Sequence, residues 1–160
     1  SGCRYVILRT AWVYGVHGHN FVKTMLRLGR ERDTLRVVDD QRGCPTFAPD
    51  LADAVVSVAA QESAASGSAA SGIYHCVGGG STTWCGFARK IFDIVRRRGF
   101  PAPAVEAIKA AEYRTPAPRP ANSVLDCSKL QERYGLALRP WEDALEDMLK
   151  ETLSKDGDQM

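Results

Sequence analysis

An α/β layer fold is what this sequence predicts, and three observations predict it. Strand-like and helix-like stretches alternate along the 160 residues. The first strand candidate, Tyr5-Val6-Ile7-Leu8, is continuously apolar, which suits a strand covered on both faces as in parallel sheets. The helical stretches carry their apolar residues at helical spacing, as helices packed on a sheet do. The length fits one domain with a real core. The 44% hydrophobic and 25% charged residues are close to the average for soluble globular proteins.

Each element has a local reason. After Tyr5–Leu8 the chain runs through Arg9-Thr10-Ala11 to Trp12-Val13-Tyr14-Gly15, then turns at Val16–Asn20. Phe21 to Arg30 predicts a helix, with Phe21, Met25 and Leu28 on one face, Asn20 as N-cap and Gly29 weakening its end. Leu35 to Val38 predicts a short strand. Asp50 has the place of N-cap for a helix from about Asp50 to Gln61. Glu62 to Gly72, rich in Ser, Ala and Gly, predicts a mobile surface loop. Ile73 to Val77 predicts another strand, ending in Gly78-Gly79-Gly80. Ser81, Thr82 and Thr83 offer caps for a helix from about Thr83 to Arg98, with Trp84, Phe87, Ala88, Ile91, Phe92 and Val95 as its core face. Gly99-Phe100-Pro101 stops it. Ala102 to Ile108 predicts extended chain, and Ala110 to Pro120 a proline-rich loop. Asp126 or Ser128 caps a short helix through Tyr134. Pro140 opens a last amphipathic helix carrying Trp141, Leu145, Met148, Leu149 and Leu153, with a frayed tail over residues 154–160.

Composition excludes several functions. A net charge of +2 gives no basic field, so nucleic acid is not an expected partner. Arg96-Arg97-Arg98 reads instead as the cationic end of a helix. No apolar run reaches the ~18 residues of a membrane span, and the N-terminus has no signal-peptide pattern. The five cysteines are widely spaced without a CxxC pair, which predicts reduced thiols and a cytoplasmic location.

The stretch Val37 to Asp53 is the least explicable as scaffold. Asp39 to Thr46, DDQRGCPT, has no helical or strand period but many hydrogen-bonding groups. Gly43 permits close backbone approach, and Pro45 stiffens the chain after it. A polar loop between a strand and a capped helix is a common place for a ligand site, and an ordinary surface connection is equally open. Trp12 and Tyr14 sit at the C-terminal end of a strand, where α/β sheets bind ligands, and alternation would point them to one side. Packing on a sugar or base and packing in the core are both open for them. Arg119, between two prolines, suits bidentate phosphate binding or plain solvent exposure. Gly78-Gly79-Gly80 lies where a phosphate loop would, but GxGxxG is not completed and no P-loop lysine follows, so a tight turn fits better. His17 and His19 lack a third metal ligand nearby and read as a solvated turn, and His75 as a core histidine. Asp39 and Asp40 point apart if extended, which suits hydrogen bonding or capping rather than acid–base catalysis.

Six ordered stretches carry a resemblance: ILRTAWVYG (7–15), NFVKTMLRL (20–28), VVDDQRGCPT (37–46), DLAD (50–53), IYHCVGGGSTTW (73–84) and RPANSVLDCSKL (119–130). Together they resemble the C-terminal part of the dTDP-4-dehydrorhamnose reductases, extended short-chain dehydrogenase/reductases. The resemblance implies the C-terminal part of an NAD(P)-binding Rossmann-type fold, with the small substrate-binding subdomain, over residues 1–153. It implies reduction of the 4-keto group of dTDP-4-dehydro-L-rhamnose to dTDP-L-rhamnose by NADPH or NADH. The cofactor is expected on an N-terminal half that this chain lacks. Magnesium and a homodimer are further features the resemblance admits. In the family a Tyr-x-x-x-Lys pair protonates the ketone oxygen while the site positions the hydride donor. Here the residues four after each tyrosine are Arg9, Gly18, Gly78, Ala117 and Leu138, none of them lysine. The chain alone is therefore expected neither to hold a dinucleotide tightly nor to turn over. On the substrate side, Trp12 matches the tryptophan near the sugar, and Asn20, Gln41, Gly43, Pro45 and Thr46 match positions shaping the sugar-nucleotide pocket. Arg119 matches an arginine near the pyrophosphate. Two other readings stay open. One is a sister enzyme such as a nucleotide-sugar epimerase. The other is a non-catalytic regulatory subunit like that of methionine adenosyltransferase.

Overall fold

The computed structural model describes residues 5–64, 71–113 and 119–157. Strands β1 (Val6–Arg9), β2 (Val13–Tyr14), β3 (Thr34–Val38), β4 (Arg42–Gly43), β5 (Thr46–Phe47), β6 (Gly72–His75), β7 (Thr82–Thr83) and β8 (Ala104–Ile108) are interleaved with five α-helices. The helices are α1 (Phe21–Glu31), α2 (Ala48–Ala64), α3 (Trp84–Arg97), α4 (Ser128–Tyr134) and α5 (Trp141–Gly157). The strands pair two by two. β1–β6, β2–β5 and β3–β8 are parallel, and β4–β7 is antiparallel. Helices pack against these pairs, so the α/β expectation holds.

Two cores hold the chain. The larger joins α1, α3 and α5 to β3, with Phe87, Ile91, Leu145, Met148 and Leu149 almost fully buried. Helix α3 is its hub. Its apolar side is the one the sequence predicts, and Thr83 caps it by accepting from the Gly86 N–H at 2.9 Å. Arg96 and Arg97 close its last turn, and Arg97 pairs with Asp93 and with Glu146 of α5. The smaller core lies between β1–β6 and helices α2 and α4, around Val58, Tyr74, Leu130 and Tyr134.

Several boundaries and environments differ from expectation. Asn20 caps α1 as predicted, accepting from the Lys23 N–H at 3.1 Å. Asp50 is not the cap of α2. The helix begins at Ala48, and the Asp50 carboxylate accepts from Arg139 at 2.9 Å instead. β1 is covered on one face only. Ile7 and its register partner Ile73 remain 47% and 39% exposed. The last helix continues to Gly157, beyond the predicted start of fraying. His75 is half-buried, its Nδ1 3.0 Å from the Asp126 carbonyl, rather than a core histidine. The middle of the Ser/Ala/Gly loop, residues 65–70, and Cys3, Arg114 and residues 158–160 lie outside the described residues. Among the described residues no helix is long and apolar enough to cross a membrane.

Candidate functional site

Two residues, Arg42 and Gly43, form the strand β4, and four of the six motif stretches meet there. Gly43 and Arg42 pair with Thr82 and Thr83 of β7. On the opposite edge, Arg42 N–H donates to the Ala121 carbonyl at 2.8 Å, and its own carbonyl accepts from Ser123 N–H at 2.9 Å. The loop entering β4 is fixed from two further directions. Asp39 Oδ1 accepts from Thr83 Oγ1 at 2.5 Å, and Asp40 Oδ1 accepts from Ala110 N–H at 2.9 Å. Both carboxylates therefore serve caps and backbone, on different elements. Neither is placed to work with the other as an acid–base pair.

The fourth stretch arrives through Trp12. Its carbonyl accepts from Thr46 N–H at 3.1 Å, just ahead of the β2–β5 pairing. Its backbone has φ of 48°, and no other non-glycine among the described residues has a positive φ. A left-handed conformation at such a residue costs about 1–2 kcal/mol. The indole lies on that of Trp84, with centroids 3.5 Å apart and planes 8° apart. A centroid distance this close to the thickness of a ring means the rings overlie with little offset, the less favoured stacking geometry. Below lies Gly43. A Cβ there would come within 2.3 Å of Trp12 Cε2, 2.5 Å of Nε1 and 2.6 Å of Cζ2. Such similar distances to three adjacent atoms place Gly43 over the ring, opposite Trp84. Both faces of Trp12 are thus taken, and the half-buried indole offers an edge.

The remaining predicted residues divide by what their side chains have left to give. Thr46 is fully buried; its hydroxyl donates to the Cys44 carbonyl and accepts from Gly78 N–H, both at 3.2 Å. Pro45 is buried beneath the glycine turn, where a Cβ on Gly78 would meet its carbonyl oxygen at 2.2 Å. Asn20 donates to the Gly15 carbonyl at 2.7 Å besides capping α1. Thr46, Pro45 and Asn20 hold the shape of the site. Gln41 is half-buried on the loop next to β4. Arg119 is exposed, three residues ahead of the Asn122 that bridges Arg42.

Tyr14 does not join Trp12. It is 2% exposed, its hydroxyl donates to the Trp141 carbonyl at 3.3 Å, and burial pushes its phenol well above the ordinary range. The left-handed turn at Trp12 breaks the alternation that would have aligned them. His17 and His19 are exposed beside a cleft of about 370 Å³ that Val13, Asn20 and Pro49 help line. Sequence reasoning missed the part that two further residues play in the site. Trp84 carries the stack rather than only facing the core. Arg42 reaches Ser81, donating to its hydroxyl at 3.0 Å. An aromatic directly after a Thr-Thr cap was the available signal for Trp84. For Arg42 there was none, since an arginine in a loop is unremarkable by pattern.

Cofactor and metal chemistry find little to hold them in this chain. The Gly78-Gly79-Gly80 turn is packed against the Pro45 and Leu138 carbonyls, which would repel rather than cradle a pyrophosphate. No Tyr-x-x-x-Lys pair occurs in the 160 residues. Among the described residues no three His, Cys, Asp or Glu side chains converge to hold a metal ion.

A family model described as the RmlD substrate binding domain matches residues 1–154. The chain belongs to that family. It is 45% identical over 140 residues to the dTDP-4-dehydrorhamnose reductase of Sinorhizobium fredii, covering 88% of this chain and 47% of that protein. Against the dTDP-4-dehydrorhamnose reductase of Salmonella typhimurium it is 43% identical over 150 residues, 92% of this chain and 50% of that protein. The crystal structure of the Bacillus anthracis dTDP-4-dehydrorhamnose reductase with NADP superposes with a TM-score of 0.80 at 35% identity, covering 94% of this chain and 49% of that one. The chain therefore spans about half the length of the relatives it matches. This RmlD-type domain has the fold of the corresponding half of that NADP-bound structure.

Proposed function

We propose that this chain is the C-terminal, substrate-binding half of a dTDP-4-dehydrorhamnose reductase. The complete enzyme reduces the 4-keto group of dTDP-4-dehydro-L-rhamnose with NADPH or NADH. The observation that carries this reading is the convergence on β4. Stretches far apart in sequence, each shared with the resemblance to the reductases, meet around Arg42 and Gly43. Scaffold alone does not require a strained tryptophan at that point.

Each residue then has a part. The Trp12 edge and Gln41 face the sugar, and Arg119 takes the pyrophosphate as a planar donor. Gly43, Pro45, Thr46 and Asn20 keep the wall in shape. Binding orients the keto sugar, and positioning is a large part of the rate gain in such a transfer. Proton donation and dinucleotide binding are assigned to the half of the enzyme outside this chain. The enzyme acts in the cytoplasm.

The test is calorimetric titration of this chain with dTDP-L-rhamnose and, separately, with NADPH. The expected outcome is saturable binding of the dTDP-sugar, no tight binding of NADPH and no oxidation of NADPH with the keto sugar. Tight NADPH binding without dTDP-sugar binding, or turnover by the chain alone, would overturn the reading.

A further inference from the structure

Trp84 lies beside the site and packs against two aromatic rings, Trp12 and Phe21. It is the first residue of α3, directly after the Thr83 cap. Thr83 is itself tied to the start of the loop through Asp39. Phe21, the first residue of α1, tilts against the Trp84 ring with centroids 4.7 Å apart and stacks on Phe87 at 5.4 Å. One helix start therefore carries Trp84 and another braces it. What that brace presents is the Trp12 indole, flat against Trp84 on one side and Gly43 on the other.

We infer that Trp84 is a positioning residue for the nucleotide-sugar site, acting through Trp12. This role rests on the proposed dTDP-sugar function of the site. With the faces of Trp12 occupied, a ligand meets only the indole edge. The direction of that edge is set by the plane of Trp84 and the floor of Gly43. The backbone of Trp12 is tied to Thr46 and the β2–β5 pairing, but the plane of its indole rests on Trp84 and Gly43, so without Trp84 the ring would turn its edge elsewhere. Trp84 thus governs affinity without touching the ligand.

A double-mutant cycle on this chain tests it, read by titration with dTDP-L-rhamnose. Trp84→Ala is expected to weaken binding at least tenfold, and Trp84→Phe, which keeps a stacking face, by no more than about threefold. Trp12→Ala is expected to match Trp84→Ala, and the double variant to be no worse than either alone. Val58→Ala, in the smaller core, which does not include Trp12 or Trp84, should lower stability while leaving affinity within about twofold. The wild type should show the near-ultraviolet circular-dichroism signal of two coupled indoles, lost in Trp12→Ala and Trp84→Ala alike. Additive losses in the double variant, or equal losses for Trp84→Phe and Trp84→Ala, would overturn the positioning role and leave the substrate assignment standing. A wild-type chain that binds no dTDP-sugar would overturn the substrate assignment and this role together.

Discussion

Thr46 and Gln41 sit five residues apart and yet do different work. Thr46 is sealed in, with its hydroxyl shared between Cys44 and Gly78. Thr46→Val keeps the shape, removes the hydroxyl and leaves a buried N–H and carbonyl without partners, at a cost of about 1–3 kcal/mol. Urea unfolding should show that loss. Gln41→Ala should leave the unfolding midpoint unchanged and weaken only dTDP-sugar binding, as titration would reveal. Cys76 makes a pH prediction at the same scale. It is fully buried, and burial pushes its thiol up from 9.0 to about 11. A raised folded value means the unfolded chain loses its proton first. The stability this thiol contributes is complete below pH 9 and declines as pH rises toward 11, by about 2–3 kcal/mol. Cys76→Ala should flatten that part of the stability–pH curve, and a shift in any other pH window would contradict the cause.

Among the elements, α3 does most to connect fold and site. Its inner side supplies the larger core, and its first turn carries Trp84 on a cap that also fixes Asp39. Thr83→Ala should cost about 1 kcal/mol in cap energy. It should also weaken ligand binding, because the Asp39 anchor is lost with the cap. Thr83→Ser should restore both, and thermal unfolding with titration separates the two effects. The other element-scale tie is Arg139, which joins Asp50 of α2 to Asp147 of α5 and is held charged by those hydrogen bonds, Asp50 foremost. That triad explains why Asp50 is drawn into the helix rather than left at its mouth.

At the scale of the molecule, the two cores are unequally finished. β1 has one pairing neighbour among the described residues, and the Ile7–Ile73 face beside it is open. A groove of about 510 Å³ runs between β1 and α2, lined by Tyr5, Leu8, Val55 and Ala59 among others. An uncovered apolar face next to a free strand edge is an association hazard. The chain should therefore self-associate with rising concentration in sedimentation experiments. Ile7→Lys combined with Ile73→Thr should shift it toward monomer without changing dTDP-sugar affinity, since neither residue touches the β4 site.

The sequence by itself determined the order of the helices and the longer strands, the caps of α1 and α3 and the buried side of α3. Asn20 and Thr83 cap the helices they precede, and the inner side of α3 follows its spacing, because these depend on contacts within a few residues. The six shared stretches were legible for the same reason, as local patterns. Tertiary structure alone decided what those stretches meet. It turned Trp12 out of its strand while burying Tyr14, made Asp50 a partner of Arg139, and left one face of β1 open. It also brought Gly43 beneath an indole and Trp84 above it. These outcomes hang on contacts between residues about 30 to 130 positions apart, as in Trp12–Gly43, Asp50–Arg139 and Tyr14–Trp141. No local period encodes such contacts; they are set by which surfaces can be buried together without leaving a polar group unpaired.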